Sequence, residues 1–484
     1  MALRASFLMV WLGKFATSSS CRDSPSSGLV ALYAPHMKWG IALCLGVVVA
    51  TSVAEGQTLY EGARVIAGDG SAVIERAAVL VDQQMITRVG AAGSFAVPAA
   101  TTRIDLTGKT IMPALIATHV HPGFQQGLSD SAANYTRETV VGDLARALYF
   151  GVSVVQSMGI ESGDLLYQMR DEPVTGRPNG ARLQVTGRGI GSPNAGPGGA
   201  AYAGIAYEVT TEEQGRKAVA ELASRRVDMV KIWVDDRNGR APKLSAPLYR
   251  AIIDESHQRK LRVIAHVFYH TDAVDLVDAG IDAFAHLVRD TVMDDAVVAA
   301  IVKKNVVVMG NLTTPLKPTF AALPPWLTDG DPMTTLLGAA VTPPALARMQ
   351  AYYAKRDPKA VEGARQRYAI LQRSLAKLNA AGARIVLGAD TGLEDHPFGF
   401  AEQLELQAMV EAGMTPAQAI VAATSRAAAF LNLRDTGVLR AGQRADFLVL
   451  DANPLADITN TRRISRLVVG GAEVDRPSLI PLMR

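Results

Sequence analysis

Ile111-Met-Pro-Ala-Leu-Ile-Ala-Thr-His119-Val-His121 decides the reading of this chain: an apolar run that closes on two histidines one residue apart. On a β-strand, residues i and i+2 point to the same side, so His119 and His121 can grip one ion together. Four further polar groups end or sit within short apolar runs. They are Lys231 in Val-Asp-Met-Val-Lys-Ile-Trp, His266 in Leu-Arg-Val-Ile-Ala-His, His286 in Asp-Ala-Phe-Ala-His and Asp390 in Arg-Ile-Val-Leu-Gly-Ala-Asp. In a parallel α/β barrel the strand C-termini converge on one mouth, where side chains distant in sequence can surround a metal.

The apolar β-like runs alternate with helical patterns, as repeated βα units do. Eight runs are counted, at 111–121, 152–157, 183–187, 227–234, 261–267, 283–287, 306–311 and 383–390, the number that closes a TIM barrel. Between His266 and His286 the unit is clearest, with a helical pattern near 271–278 and a stop at Gly280. The expected fold class is therefore α/β, a (β/α)8 TIM barrel over 111–432. β-type signals with Gly/Asp turns fill 57–110, and a matching β-rich stretch returns at 433–484, so the two ends of the mature chain are expected to form one small β-sandwich domain. Two insertions interrupt the pattern. A Gly/Pro/Ala-rich loop at 190–204 falls where active-site loops belong, and a long helical segment at 313–378 is read as a lid, an oligomer contact or plain padding.

The chain has 484 residues, 49% of them hydrophobic, enough for a large core with a satellite domain. Its formal net charge of +3 gives no reason to expect nucleic acid or an anionic membrane surface. Residues 37–54 hold Met-Lys-Trp, an apolar stretch and a small-x-small end at Ser52-Val-Ala54, the parts of a secretory signal peptide. The expected location is periplasmic or secreted, without stable membrane insertion after cleavage, and 1–36 reads as a non-native N-terminal extension. Both cysteines, Cys21 and Cys44, fall in the part expected to be lost. The mature enzyme would then have no disulfide, thiolate ligand or cysteine nucleophile.

With these ligands stand Asp105-Leu-Thr-Gly-Lys-Thr-Ile-Met-Pro113, Met409-Val-Glu-Ala-Gly-Met-Thr-Pro416 followed by Ala422-Ala-Thr424, Gly437-x4-Gly442-x2-Ala445-Asp446-Phe447, and Asp451-x-Asn453-Pro454. From Gln57 to the C-terminus the chain resembles the amidohydrolase superfamily of metal-dependent hydrolases, and within it the amidases and dipeptidases related to prolidase and imidazolonepropionase. Relatives usually show Gly-Leu-Ile-Asp where this chain has Ala114-Leu-Ile-Ala117, so a carboxylate behind the ligands is missing here.

The resemblance implies a site for two divalent metal ions. His119, His121 and Asp390 would hold one ion and His266 and His286 the other, with Lys231, carbamylated by carbon dioxide, bridging them. Zn²⁺ is the favoured ion for a sulfur-free nitrogen and oxygen donor set. A bare ammonium beside two dications would be repelled, whereas a carbamate supplies two anionic oxygens. The implied reaction is hydrolysis of an amide C–N bond in a dipeptide or N-acyl amino acid by a metal-bridging hydroxide, with Asp390 as ligand and proton shuttle. Hydrolysis of a carbamate, phenylurea, lactone or phosphotriester is the competing chemistry, and a catalytically silent scaffold the competing class. A lysine at a strand end also commonly snorkels to solvent. Tyr269, His270, Arg289 and His396 follow ligands closely and are candidate substrate contacts, with ordinary loop salt bridges as the plain alternative. The expected partners are a small-molecule substrate and further copies of the chain in a homo-oligomer.

Overall fold

The computed structural model describes residues 56–484 apart from 128, 173–179, 199 and 394. The expected extension at 1–36 and signal segment at 37–54 lie outside the described residues. Each of the eight expected runs contributes a strand: Leu115–Val120, Val152–Ser157, Arg182–Gln184, Val230–Val234, Val263–Val267, Ala283–Phe284, Val307–Met309 and Arg384–Val386. The first three pair in parallel in sequence order, and so do the last five. Helices such as Glu212–Ser224, Ala246–Gln258 and His270–Ala279 separate them, giving an α/β fold.

The ladder is divided into two sheets rather than run as one. Strands one to three form a three-stranded sheet, and the rest belong to a seven-stranded sheet that begins with the short pieces Tyr207–Glu208 and Ile190–Gly191. The break falls inside the third run, after Gln184, where Gly187 turns to a positive φ of 72°. Beyond it the chain resumes as Ile190–Gly191 and pairs with Val230–Val234. Hydrogen bonds join the sheets at both edges. The Asp228 amide donates to the Val185 carbonyl at 2.8 Å, and the Thr118 amide to the Leu387 carbonyl at 2.9 Å.

Alternation of side chains builds two apolar layers. Ile116, Val154, Ile264, Ala283, Val307 and Val386 come from six different strands and pack together in one cluster with Met229 and Met309. Their neighbours in sequence, such as Leu115, Val155, Val263 and Ile385, belong to the larger cluster shared with the helices. The helix signals act locally as their chemistry dictates. Thr211 and Gln214 form a capping box, Pro332, Pro343 and Pro358 each open a helix, and Gly280 ends one at φ 90°.

The run at 111–121 serves two sheets. Thr110–Pro113 pairs antiparallel with Phe447–Leu450, while Leu115–Val120 pairs in parallel with Val152–Ser157. The switch falls at Ala114, whose amide donates to the Asp446 carbonyl. One stretch thus ties the metal-type motif to the sheets at both ends of the described residues. Those ends form a four-stranded and a five-stranded sheet that share one buried cluster, including Tyr60, Val79, Ile111, Phe447 and Val468.

Glycines make room at the mouth. A Cβ on Gly189 would lie 2.1 Å from the Trp233 ring, and one on Gly159 would lie 2.7 Å from Lys231 Cγ. Gly189→Ala is therefore expected to lower unfolding free energy by about 1–3 kcal/mol, the usual cost of overpacking. Urea unfolding that matches the unsubstituted protein would contradict this account of the Trp233 wall.

Candidate functional site

The strand ends bring His119, His121, His266, His286, Lys231 and Asp390 to the wall of one cavity of about 90 Å³. His119 and His121 leave the first strand on the same side, as their spacing requires. His119 Nε2 lies 3.2 Å from His121 Nε2, and Asp390 Oδ1 lies 3.1 Å and 2.9 Å from those two nitrogens. The rings of His121, His119, His286 and His266 then follow one another with centroids 5.1, 5.2 and 4.4 Å apart. His119, His286 and Asp390 each offer a ligand atom within 4.8 Å of the others, a group able to hold a metal ion.

All four imidazoles are buried. Burial first, and for His119 the neighbouring Lys231, lowers its pKa to about 3, while burial lowers that of His266 to about 4. For Asp390 burial acts upward, but the His119 imidazole and hydrogen bonds from His119 and His121 hold its carboxyl well below the usual range. Asp390 also adopts a left-handed backbone with φ 55°, uncommon for a residue with a side chain. The next residue, Thr391, donates its hydroxyl to the buried Glu402 at 2.5 Å, which anchors the turn.

Lys231 is 1% exposed. Among the described residues its ammonium has no hydrogen bond or ion pair, and Nζ lies 5.7 Å from the centre of the Trp233 ring. Burial lowers its pKa to about 7. An unpaired ammonium held this deep would be costly, so the neutral amine becomes accessible near neutral pH.

Several site residues were not singled out from sequence. Asp235 accepts from or shares a proton with His266 Nε2 at 2.9 Å. Its burial acts upward, yet the His266 contact and the Arg237 amide bring its pKa down to about 2. Alternation would have found it, because positions 231, 233 and 235 share one face of a strand. Asn311 Nδ2 lies 2.9 Å from His119 Nδ1 and 3.1 Å from His286 Nδ1. Trp233, Tyr202, Ile160 and Arg237 complete much of the cavity wall, with Pro197 and Gly198 from the Gly/Pro-rich loop. Phe124, Ile160, Tyr202 and Trp233 also pack in one apolar cluster, which limits water beside the imidazoles.

The four candidate substrate contacts have different surroundings. Arg289 Nη2 lies 3.1 Å from His286 Nδ1, at the site itself. Tyr269 instead donates to Asp236 at 2.8 Å, and His270 Nε2 lies 3.4 Å from Asp294. His396 lines a separate small cavity with Lys317, Tyr353 and Phe400. None of the four is on the wall of the imidazole cavity, although Arg289 reaches the His286 ring that lines it.

The lowered histidine pKa values set the sign of a pH effect. Between about 3 or 4 in the folded chain and 6.5 when unfolded, the unfolded chain binds more protons at His119 and His266. Their contribution to stability is therefore present above pH 6.5 and lost as pH falls toward 4. The melting temperature should drop progressively from pH 7 to pH 4.5, and His266→Asn should make that drop shallower; an identical drop in the variant would contradict the assignment.

Residues 110–474 match the amidohydrolase family. A structure described as a putative prolidase from Bifidobacterium longum superposes with a TM-score of 0.68 at 25% identity, covering 88% of this chain and 98% of that one. Ochratoxinase of Aspergillus niger is 25% identical over 476 residues, 90% of each chain. An uncharacterised protein of Mycobacterium tuberculosis is 31% identical over 196 residues, a match spanning 38% of this chain and 47% of that relative. Among the described residues no helix is long and apolar enough to cross a membrane. The strand-end cluster of imidazoles and carboxylate and the match across most of the sequence lead to one conclusion: the chain belongs to the amidohydrolase family and is a hydrolase.

Proposed function

We propose that this chain is an exported, binuclear metal-dependent hydrolase that cleaves the amide C–N bond of a dipeptide or N-acyl amino acid. The observation that carries this reading is the convergence of His119 Nε2, His121 Nε2 and Asp390 Oδ1, each 2.9–3.2 Å from the other two. Donors on a tetrahedral zinc ion, with bonds of about 2.0–2.1 Å, lie roughly 3.3 Å apart, so the donor set fits such an ion. In this reading His119, His121 and Asp390 would hold one ion and His266 and His286 the other, and Lys231, carbamylated, would contribute to both. The burial of Lys231 supports carbamylation, because carbon dioxide adds to the neutral amine that burial favours. The two hydrogen-bonded sheets are taken as one closed (β/α)8 barrel, and the paired end sheets as its β-sandwich companion.

When bound, the two ions supply an acidified water and polarise the scissile carbonyl. The protein supplies the rest. Asp390, 15% exposed on the cavity wall, is placed to take the proton of the attacking water on a carboxylate oxygen and return it to the departing amine. Asp235 holds the His266 ring from behind at 2.9 Å, fixing which nitrogen faces the cavity. Arg237 offers a guanidinium group to a substrate carboxylate at the wall, and Arg289 adds a positive charge beside the His286 ring. Ile160, Tyr202 and Trp233 keep the reacting bond among apolar side chains.

Purified chain loaded with Zn²⁺ or Co²⁺ is expected to release free amino acids from a panel of dipeptides and N-acyl amino acids. Turnover confined to carbamates, phenylureas, lactones or phosphotriesters would overturn the amide assignment, and no turnover with fewer than one ion per chain would favour a silent scaffold. Asp390→Asn should lower kcat by about 10²–10⁴-fold, the usual range for losing an acid–base group, while keeping much of the metal. A carbamate carbonyl signal should appear in ¹³C NMR after equilibration with ¹³C-bicarbonate and vanish in Lys231→Ala; its absence from the unsubstituted protein would remove the bridge.

A further inference from the structure

Away from the imidazoles, the turn before the strand Ile464–Val469 brings two adjacent arginines, Arg462 and Arg463, to the wall of a second cavity. Arg462 is 6% exposed, a costly place for a guanidinium unless its charge and its donors are matched. They are matched on one side only. Nη2 donates to the Gln403 carbonyl at 3.3 Å and to Gln407 Oε1 at 2.5 Å, both on the helix Phe400–Glu411. Nε is buried without an acceptor, and among the described residues no hydrogen bond uses Nη1. Three of the five N–H donors are therefore unused. Asp331, Asp457 and Glu411 act on Arg462 through space and form no ion pair with it.

Two positive charges on this wall face one negative charge, that of Asp331. Asp331 is already engaged as the cap of the helix Pro332–Ala340, where Oδ1 accepts the Met333 amide at 2.7 Å. The wall also includes Pro325, Trp326 and Pro332 from the inserted segment. Trp326 is 6% exposed and meets the Phe320 ring edge-on at 4.8 Å, which fixes its plane. The cavity holds about 270 Å³, close to the lower end of the range for small-molecule sites, about 300 Å³. None of its residues lines the imidazole cavity. A charged pair of guanidinium groups beside a rigid apolar wall suits a ligand with an anionic head and an apolar body.

We propose that this cavity is a second binding site, separate from the imidazole cluster, for a small organic oxyanion. The ligand is a carboxylate or phosphate monoester whose head pairs with Arg462 and Arg463 and whose apolar body lies on Pro325, Trp326 and Pro332. The head supplies the counter-charge that the fold withholds from the buried Arg462. Because Arg462 is tied to Gln403 and Gln407, an occupied site adds a link between the helix Phe400–Glu411 and the inserted segment. This inference stands apart from the metal reading above.

The test is calorimetric titration of the full-length protein with benzoate, phenyl phosphate and inorganic phosphate at constant ionic strength. Saturable binding of benzoate or phenyl phosphate is expected, with inorganic phosphate weaker because it lacks the apolar body. A preference between the two aromatic anions assigns the head group, and either preference supports the site. Arg463→Ala removes an exposed side chain and should weaken binding by about 10–100-fold, the range for losing a charge-assisted hydrogen bond. Arg462→Gln should do the same, and Arg463→Ala keeps the test decisive if the buried substitution fails to fold. His266→Asn, at the imidazole cavity, should leave this binding as it is. The inference is overturned if neither aromatic anion binds saturably, or if Arg463→Ala binds them as the unsubstituted chain does. Inorganic phosphate binding as tightly as phenyl phosphate would mean an adventitious ion only and would overturn it too.

Discussion

Four imidazoles and a carboxylate are packed around one small cavity, and this crowding constrains everything else at the strand ends. Burial disfavours protonation of every ring, so the cluster cannot neutralise Asp390 by becoming a set of imidazolium ions. Lone pairs therefore accumulate around a space that a cation can enter, and Lys231 is buried beside it with its own charge weakened. Such an arrangement is costly unless the groups gain from a metal what they lose in hydration.

The fold meets that cost by rigidity. Parallel pairing sets Lys231, Trp233 and Asp235 on one face, and register brings Trp233 opposite His266. Gly159, Gly189 and Gly388 remove side chains where Lys231, Trp233 and His119 need room. Behind the rings lie Asp235, Asn311 and Arg289, each touching a histidine, and behind those lie Glu402 and Glu405, which hold the loops carrying Asp390 and Asn311. Burial raises both glutamates to about 7, and each still accepts two hydrogen bonds from the loop it supports. The helix Phe400–Glu411 presents them one turn apart, so one helix face supports two strand-end loops.

Much of this was legible from residues alone where a strict period applies. The i, i+2 spacing of His119 and His121, the apolar runs before each candidate ligand and the Gly280 stop all follow short-range rules, and each reappears at or beside a strand or helix end. Asp235 was within reach of the same alternation but looks like any polar residue closing a strand. Asn311 was not readable, because its position depends on a left-handed turn and on Glu405, ninety-four positions away in sequence. Tyr269, His270 and His396 show the opposite limit. Closeness to a candidate ligand along the chain bounds how far a loop side chain can reach but not its direction, and these three turn to Asp236, Asp294 and a neighbouring cavity. The run at 111–121 hid a change of partner at Ala114, since apolar alternation is the same on both sides of it.

Paired cations at the strand ends are the central claim, and their positions can be observed directly. Crystals grown with Zn²⁺ and measured at the zinc absorption edge should give two anomalous-difference peaks about 3.5–4 Å apart, the spacing of two-metal sites, one beside His119, His121 and Asp390 and the other beside His266 and His286. Continuous density should run from Lys231 Nζ to both peaks. A cavity without anomalous signal, or zinc bound only elsewhere on the chain, would contradict the account.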